Sequence, residues 1–225
     1  MKNSELTYKE IYGQPVSFQA VNDTLDTIFK TLDEAFAEKY DEVIFTGCGT
    51  SLYLAQASAH AFSTCTGISA KGMCCSELYY FPETYVGNGK KVLVVPMTRK
   101  SYTTEVRMAI DKVRSYPGVK SLAITCDPDS SKYNDYMLLS PETPEDSVIM
   151  TRSFTSMIYL AVVMSYYVGG KKEKIEQLKD YAANAESFLK ATDEMAKKIV
   201  AEHPECNLFI TLGQGINYGI ANECM

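Results

Sequence analysis

Three short runs in this chain are apolar almost throughout: EVIFT at 42–46, KVLVVPM at 91–97 and KSLAITC at 120–126. A strand with one wet face alternates polar and apolar residues. These runs do not, so both faces of each must be covered. Helical patterns separate them. The combination predicts an α/β fold: a parallel sheet between two layers of helices, each strand returned to the next by a crossover. Ligands of such sheets bind past the carboxyl ends of the strands, near the switch in strand order. The loops at 47–51, 75–77, 98–104, 126–131 and 147–153 are therefore where chemistry is to be sought.

The intervening pattern fills in the frame. Phe18, Val21, Leu25, Ile28, Leu32 and Phe36 recur at steps of three and four, predicting one helix face. An Ala-rich helix follows at 52–62, a second strand at 68–74, a helix at 103–114, a turn at 127–131 and an edge strand at 136–139. A long apolar helix at 150–167 ends on Gly169 and Gly170. An amphipathic connector covers 171–200, and 207–212 reads as a sixth strand. Residues 1–16 form an N-terminal arm.

Offsetting the chain by 166 residues lays Gly47 on Gly213, Gly49 on Gly215 and Ala55 on Ala221, each set after an apolar run. Such self-similarity predicts tandem domains of one fold. The expected boundaries are 1–40 for the arm and first helix, 41–170 for the first domain, 171–206 for the connector and 207–225 for the start of the second. One strand and part of a helix cannot bury a core, so a C-terminally truncated second domain is expected. The alternative is that the sixth strand extends the first sheet.

Composition narrows the partners. The net charge is -6 with no extended Lys/Arg run, which argues against nucleic acid. Seven Cys with no CxxC pair, and two His, fit reduced cytoplasmic thiols rather than a disulfide framework or a metal site. The first residues contain no apolar signal core, and the apolar stretch at 157–168 is too short to span a bilayer.

The first loop is Gly47-Cys48-Gly49-Thr50-Ser51. Its glycines let backbone N–H groups approach an anion, and the following helix N-terminus adds positive potential. A plain capped turn has the same residues. A dinucleotide fingerprint requires a third glycine, where Leu52 stands, and Glu77 is too distant for its acid. The second loop supplies Thr98, Arg99, Lys100, Ser101, Thr103 and Thr104, hydroxyls and cations suited to a phosphate monoester. It has no Walker pattern. In the third, Thr151 or Ser153 caps the apolar helix, and Arg152 either faces the site or pairs with a carboxylate. Cys48 reads as a site-lining residue and His60 as structural or superficial. Catalytic residues remain unknown, and no cofactor or metal is expected.

In order, YKEIYGQPVSF, FTGCGTS, MTRKSYTTEV, MTRSFTSM and LGQGINYGIANECM resemble the sugar isomerase (SIS) domain family, including the isomerase portion of the glutamine–fructose-6-phosphate amidotransferases. The resemblance covers nearly the whole chain. It implies a three-layer αβα domain with a five-stranded parallel, flavodoxin-like sheet. It also implies sugar contacts from Cys48, Gly49 and Thr50, phosphate contacts from Ser51, Thr98, Arg99, Lys100 and Thr103, and third-loop contacts from Thr151, Arg152 and Ser153. Lys100, Ser101 and Tyr102 stand where the family pattern has Ser, Gly and Glu.

The implied chemistry is aldose/ketose isomerisation or deamination of a hexose phosphate through an enediol or enolamine, in a homodimer or larger homo-oligomer. The resemblance implies a catalytic base on the first helix of the second domain, beyond Met225. The competing function is a sugar-phosphate-sensing module without catalysis.

Overall fold

The computed structural model describes residues 3–87, 89–101, 103–141, 143 and 145–225. Tyr102, and Met1 and Lys2 of the arm, lie outside the described residues. Five strands form one sheet: β1 (Glu42–Gly47), β2 (Ala70–Cys74), β3 (Val92–Thr98), β4 (Val119–Thr125) and β5 (Tyr136–Leu139). All pair in parallel, in the order β2-β1-β3-β4-β5. The order reverses between β1 and β3, so a crevice opens past Gly47 and Thr98.

The uninterrupted apolar strands do what their pattern requires. Every residue of β1 and β3 is buried. Val43, Phe45, Leu93 and Val95 join one core, while Ile44, Val92 and Val94 join the other. The first core lies under α2 (Gln14–Asp23), α3 (Leu25–Ala35), α4 (Thr50–Thr66) and α8 (Arg152–Val168). The second lies under α5 (Cys75–Tyr80), α6 (Pro82–Val86) and α7 (Thr104–Val113).

Several elements differ from expectation. The arm, for which no structure was expected in particular, contains the helix α1 (Asn3–Tyr12), and Tyr8 and Tyr12 donate to Asp193 at 2.6 and 3.0 Å. That carboxylate belongs to α9 (Lys172–Glu202), the connector. The single helix expected from Phe18 to Phe36 is two, broken at Thr24, whose hydroxyl donates to the Val21 carbonyl at 3.0 Å. Its apolar face survives the break, with Phe18, Val21, Leu25, Ile28 and Leu32 all buried. Residues 75–77 open α5 rather than a loop. The sixth strand is absent: 207–212 pairs with no strand among the described residues, and Leu208, Phe209, Ile210 and Leu212 are exposed. An extended segment without a neighbour has no ladder to join. The apolar α8 contributes to the core, with Met157, Leu160, Val163 and Met164 wholly buried. After 207–212, α10 (Ile216–Glu223) folds back against α4. No helix among the described residues is long and apolar enough to cross a membrane.

Candidate functional site

The turn after β1 depends on its glycines. Gly49 takes φ 56° and ψ −132°, a conformation costly to any side chain. A Cβ on Gly47 would meet the Ser51 carbonyl at 2.4 Å. The turn therefore tightens enough to start α4 directly over the carboxyl end of the sheet. The same geometry recurs at the other end of the chain. Gly215 has φ 61° and ψ −131°, and a Cβ on Gly213 would lie 2.0 Å from the Asn217 carbonyl oxygen.

The 166-residue repeat also appears in contacts. Asn222 Nδ2 donates to Gln56 Oε1 at 3.2 Å, across 166 positions. Gly219 packs so closely on the Tyr53 carbonyl that a Cβ would sit 2.3 Å away, again across the same offset. Equivalent positions meeting one another is the signature of a two-fold relation, here between α4 and α10.

Beside the first turn lies a cavity of about 210 Å³. Cys48 and Ser51 come from that turn; Thr98, Arg99, Lys100 and Thr103 come from the loop after β3. Val106 and Met150 complete the lining. The N-termini of α4 and α7 both begin here, adding positive potential. A larger cavity of about 470 Å³ sits at the amino ends of the strands, among Phe36, Tyr40, Ile68 and Tyr167. It has neither a glycine turn nor a helix N-terminus, so the smaller cavity is the better anion site.

The loop after β3 is held in shape by its own groups. Thr98 Oγ1 donates to the Lys100 carbonyl at 2.7 Å, and Thr103 Oγ1 to the same oxygen at 3.3 Å. The Ser101 amide and hydroxyl both donate to Asp127 Oδ2, at 2.9 and 2.6 Å, which holds that carboxyl below its usual range. Both threonine hydroxyls at the cavity thus share the Lys100 carbonyl as acceptor.

Not every expected residue reaches the cavity. Gly49 shapes the turn without lining the space. The Thr50 hydroxyl instead donates to Glu223 Oε1 at 3.0 Å, and burial raises the pKa of that carboxyl against the lowering effect of the hydroxyl. The third loop turns inward onto Glu145, whose carboxylate is fully buried. It accepts from the Thr151 amide and hydroxyl, both at 2.6 Å, from the Ser153 hydroxyl, and from Arg99 Nη1 at 3.1 Å. Arg152 lies under the arm, where a Cβ on Gly13 would meet its Nη1 at 2.8 Å, and its charge attracts Glu10. The local pattern found the hydroxyls and the cations. It missed Glu145, which sits in a loop without periodicity, and Glu223, which approaches from the far end of the chain.

Cys48 is half-buried, and its thiol is lowered to about 7, chiefly by a hydrogen bond from Cys75, against burial and the charge of Glu105. Cys75 is wholly buried, and its own thiol is pushed far up by the same bond and by desolvation.

Comparison with known proteins agrees with the fold. The chain is 25% identical over 228 residues to glutamine–fructose-6-phosphate aminotransferase (isomerizing) of Helicobacter pylori, covering 96% of this chain and 38% of the relative. It thus spans well under half of that protein's length. Among solved structures, tagatose-6-phosphate ketose/aldose isomerase from Escherichia coli superposes with a TM-score of 0.79 at 20% identity, over 99% of this chain and 64% of the other. Glucosamine-6-phosphate deaminase from Thermotoga maritima superposes with a TM-score of 0.72 at 22% identity, over 92% and 64%. At those identities the likeness is one of fold. The SIS domain family model matches residues 37–169, more than half the chain and the whole of the sheet, and the chain belongs to that family.

Proposed function

We propose that this chain supplies a phosphosugar-binding unit of a hexose-phosphate aldose/ketose isomerase or an amino-sugar-phosphate deaminase of the glucosamine-6-phosphate type. The observation that carries the reading is the cavity between β1 and β3. Two helix N-termini, the hydroxyls of Ser51, Thr98 and Thr103, and the cations of Arg99 and Lys100 converge there, with no carboxylate in its lining among the described residues. That is an environment for a dianionic phosphate. The sugar then extends along Cys48 and the Gly49–Thr50 turn. Gly213–Gly215 and α10 are the proposed beginning of a second SIS domain, and the working assembly is a cytoplasmic homodimer or larger homo-oligomer.

Moving a proton between adjacent sugar carbons through an enediol or enolamine requires a positioned base. The lining contains no carboxylate or imidazole among the described residues, so the base comes from outside this cavity. The same observation favours a second reading, a sensing module that binds sugar phosphate without turnover.

A thermal-shift series separates these readings from a nucleotide site. Glucosamine 6-phosphate and fructose 6-phosphate are expected to raise the melting temperature more than free phosphate does. A ligand at 100 times its dissociation constant adds about 2.7 kcal/mol. A shift with NAD alone would overturn the phosphosugar reading. Deuterium incorporation at C2 of glucose 6-phosphate or C1 of fructose 6-phosphate in heavy water, in the presence of the chain, would mark it as catalytic. Binding without exchange would favour the sensor.

A further inference from the structure

Three of the seven cysteines gather at the carboxyl ends of β1 and β2, beside the anion cavity. Gly47 pairs with Cys74 across the ladder, so Cys48 and Cys75 leave two adjacent strands side by side, where chains run about 4.8 Å apart. Cys48 packs against the buried cluster that contains Cys75, and each thiol is the main influence on the other's acidity. The two differ sharply in access. Cys48 is half-buried and lines the cavity; Cys75 has no exposed surface. Thr46 Oγ1, 3.4 Å from Cys75 Sγ, fixes that sulfur from behind. The Cys74 sulfur instead accepts from the Ser76 hydroxyl at 3.2 Å on the exposed side.

We propose that Cys48 and Cys75 form a hydroperoxide-sensitive thiol pair whose disulfide closes the anion cavity. The geometry divides the labour. Cys48 faces the cavity, where a small oxidant can reach it, and the neighbouring Cys75 favours its thiolate. Cys75 is shielded and stays protonated until its partner has reacted.

In the first step the Cys48 thiolate attacks one oxygen of hydrogen peroxide. An S–O bond forms, the O–O bond breaks, and the departing hydroxide takes a proton to become water. In the second step Cys75 gives up its proton and its sulfur attacks the Cys48 sulfenic acid. An S–S bond forms, the S–O bond breaks, and the leaving hydroxide takes that proton as a second water. Two thiols are oxidised by two electrons in all, and one peroxide is reduced to two waters.

Forming the bond draws the Cys48 sulfur out of the cavity wall and toward the core. Gly47 already crowds Ser51, so the turn has little slack, and the displacement passes to Ser51 and the first turn of α4. Closure of the cavity rests on reading it as the phosphosugar site; formation of the bond does not.

The test treats the intact chain with a small excess of hydrogen peroxide and maps its tryptic peptides without reduction. Cys48 lies in peptide 40–71, with Cys65, and Cys75 in peptide 72–90, with Cys74. The expected product links the two peptides, fragmentation assigns the bond to Cys48 and Cys75, and dithiothreitol reverses it. Cys48→Ser abolishes the link. Stable sulfinic acid at Cys48 without a bond, or a bond through Cys65 or Cys74, would overturn the proposal, and neither readout needs a variant that folds. Binding is then compared in the reduced and oxidised chains. If reduced chain binds fructose 6-phosphate, oxidation is expected to weaken binding by at least about tenfold. Unchanged affinity would overturn the closure. If the reduced chain binds no sugar phosphate, the function proposed above fails while the mapped bond still decides the thiol pair.

Discussion

The Cys48 thiolate is favoured by the hydrogen bond from Cys75 and by Cys74, and opposed by burial and by the Glu105 carboxylate; Arg99 and Lys100 line the same cavity. Alkylation of Cys48 by iodoacetamide is expected to reach half its maximal rate near pH 7, against 9.0 for an ordinary thiol. Because the lowered value depends chiefly on Cys75, Cys75→Ala, which removes the donor, is expected to move the midpoint toward that of the ordinary thiol. A midpoint near 9 in the unaltered chain would contradict the geometry.

Glu145 is the other residue with a measurable consequence. Its buried carboxylate is the common acceptor for Arg99, Thr151 and Ser153. Glu145→Ala removes the acceptor of four donor groups, of which, among the described residues, only Arg99 Nη1 keeps another, the Ser147 carbonyl, and is expected to cost roughly 3 kcal/mol in urea unfolding. A loss below about 1 kcal/mol would show that the network is dispensable. At this scale the sequence was legible where chemistry is local. Gly47, Ser51 and Thr98 declare a turn and its hydroxyls by type and order. Thr151 and Ser153 offer the same hydroxyls yet face Glu145, because a single buried acid six and eight residues upstream outweighs the open cavity.

Elements were legible in proportion to how strongly burial selects their composition. β1, β3 and β4 could be read almost to their ends because both faces are dry. The break at Thr24 could not, since the apolar steps from Phe18 to Leu32 run through it unchanged. The segment 207–212 has the composition of a strand, but a strand exists only through its neighbour. For the first turn, the expected test is Gly49→Ala. A side chain at φ 56° and ψ −132° carries a strain of roughly 1–3 kcal/mol, visible in the unfolding midpoint. It is also expected to reduce the thermal shift given by glucosamine 6-phosphate. An Ala variant as stable as the parent would mean that the turn relaxes freely.

At the scale of the molecule, the 31 residues of α9 form a rod about 46 Å long, pinned to α1 through Asp193 and to α2 through its own buried stripe. Beyond it, Leu208, Phe209, Ile210 and Leu212 form an exposed apolar run. Surfaces of that kind associate. In sedimentation velocity this chain is expected to show concentration-dependent self-association, weakened by Leu208→Ser together with Ile210→Ser. Purely monomeric behaviour at high concentration would contradict this.

The hydrogen bond from Thr50 to Glu223 joins residues 173 positions apart. In an unfolded chain, closing a loop of that size costs roughly 4–5 kcal/mol of entropy, and one eight-residue helix cannot repay it. The contact becomes affordable only after the sheet, α4 and α9 have brought the ends together. α10 is therefore expected to dock after them, and its amides to exchange with solvent earlier than those of the sheet. Until α10 has docked, the Thr50 hydroxyl lacks its carboxylate partner, so the first turn is completed by a contact made late and from a distant segment.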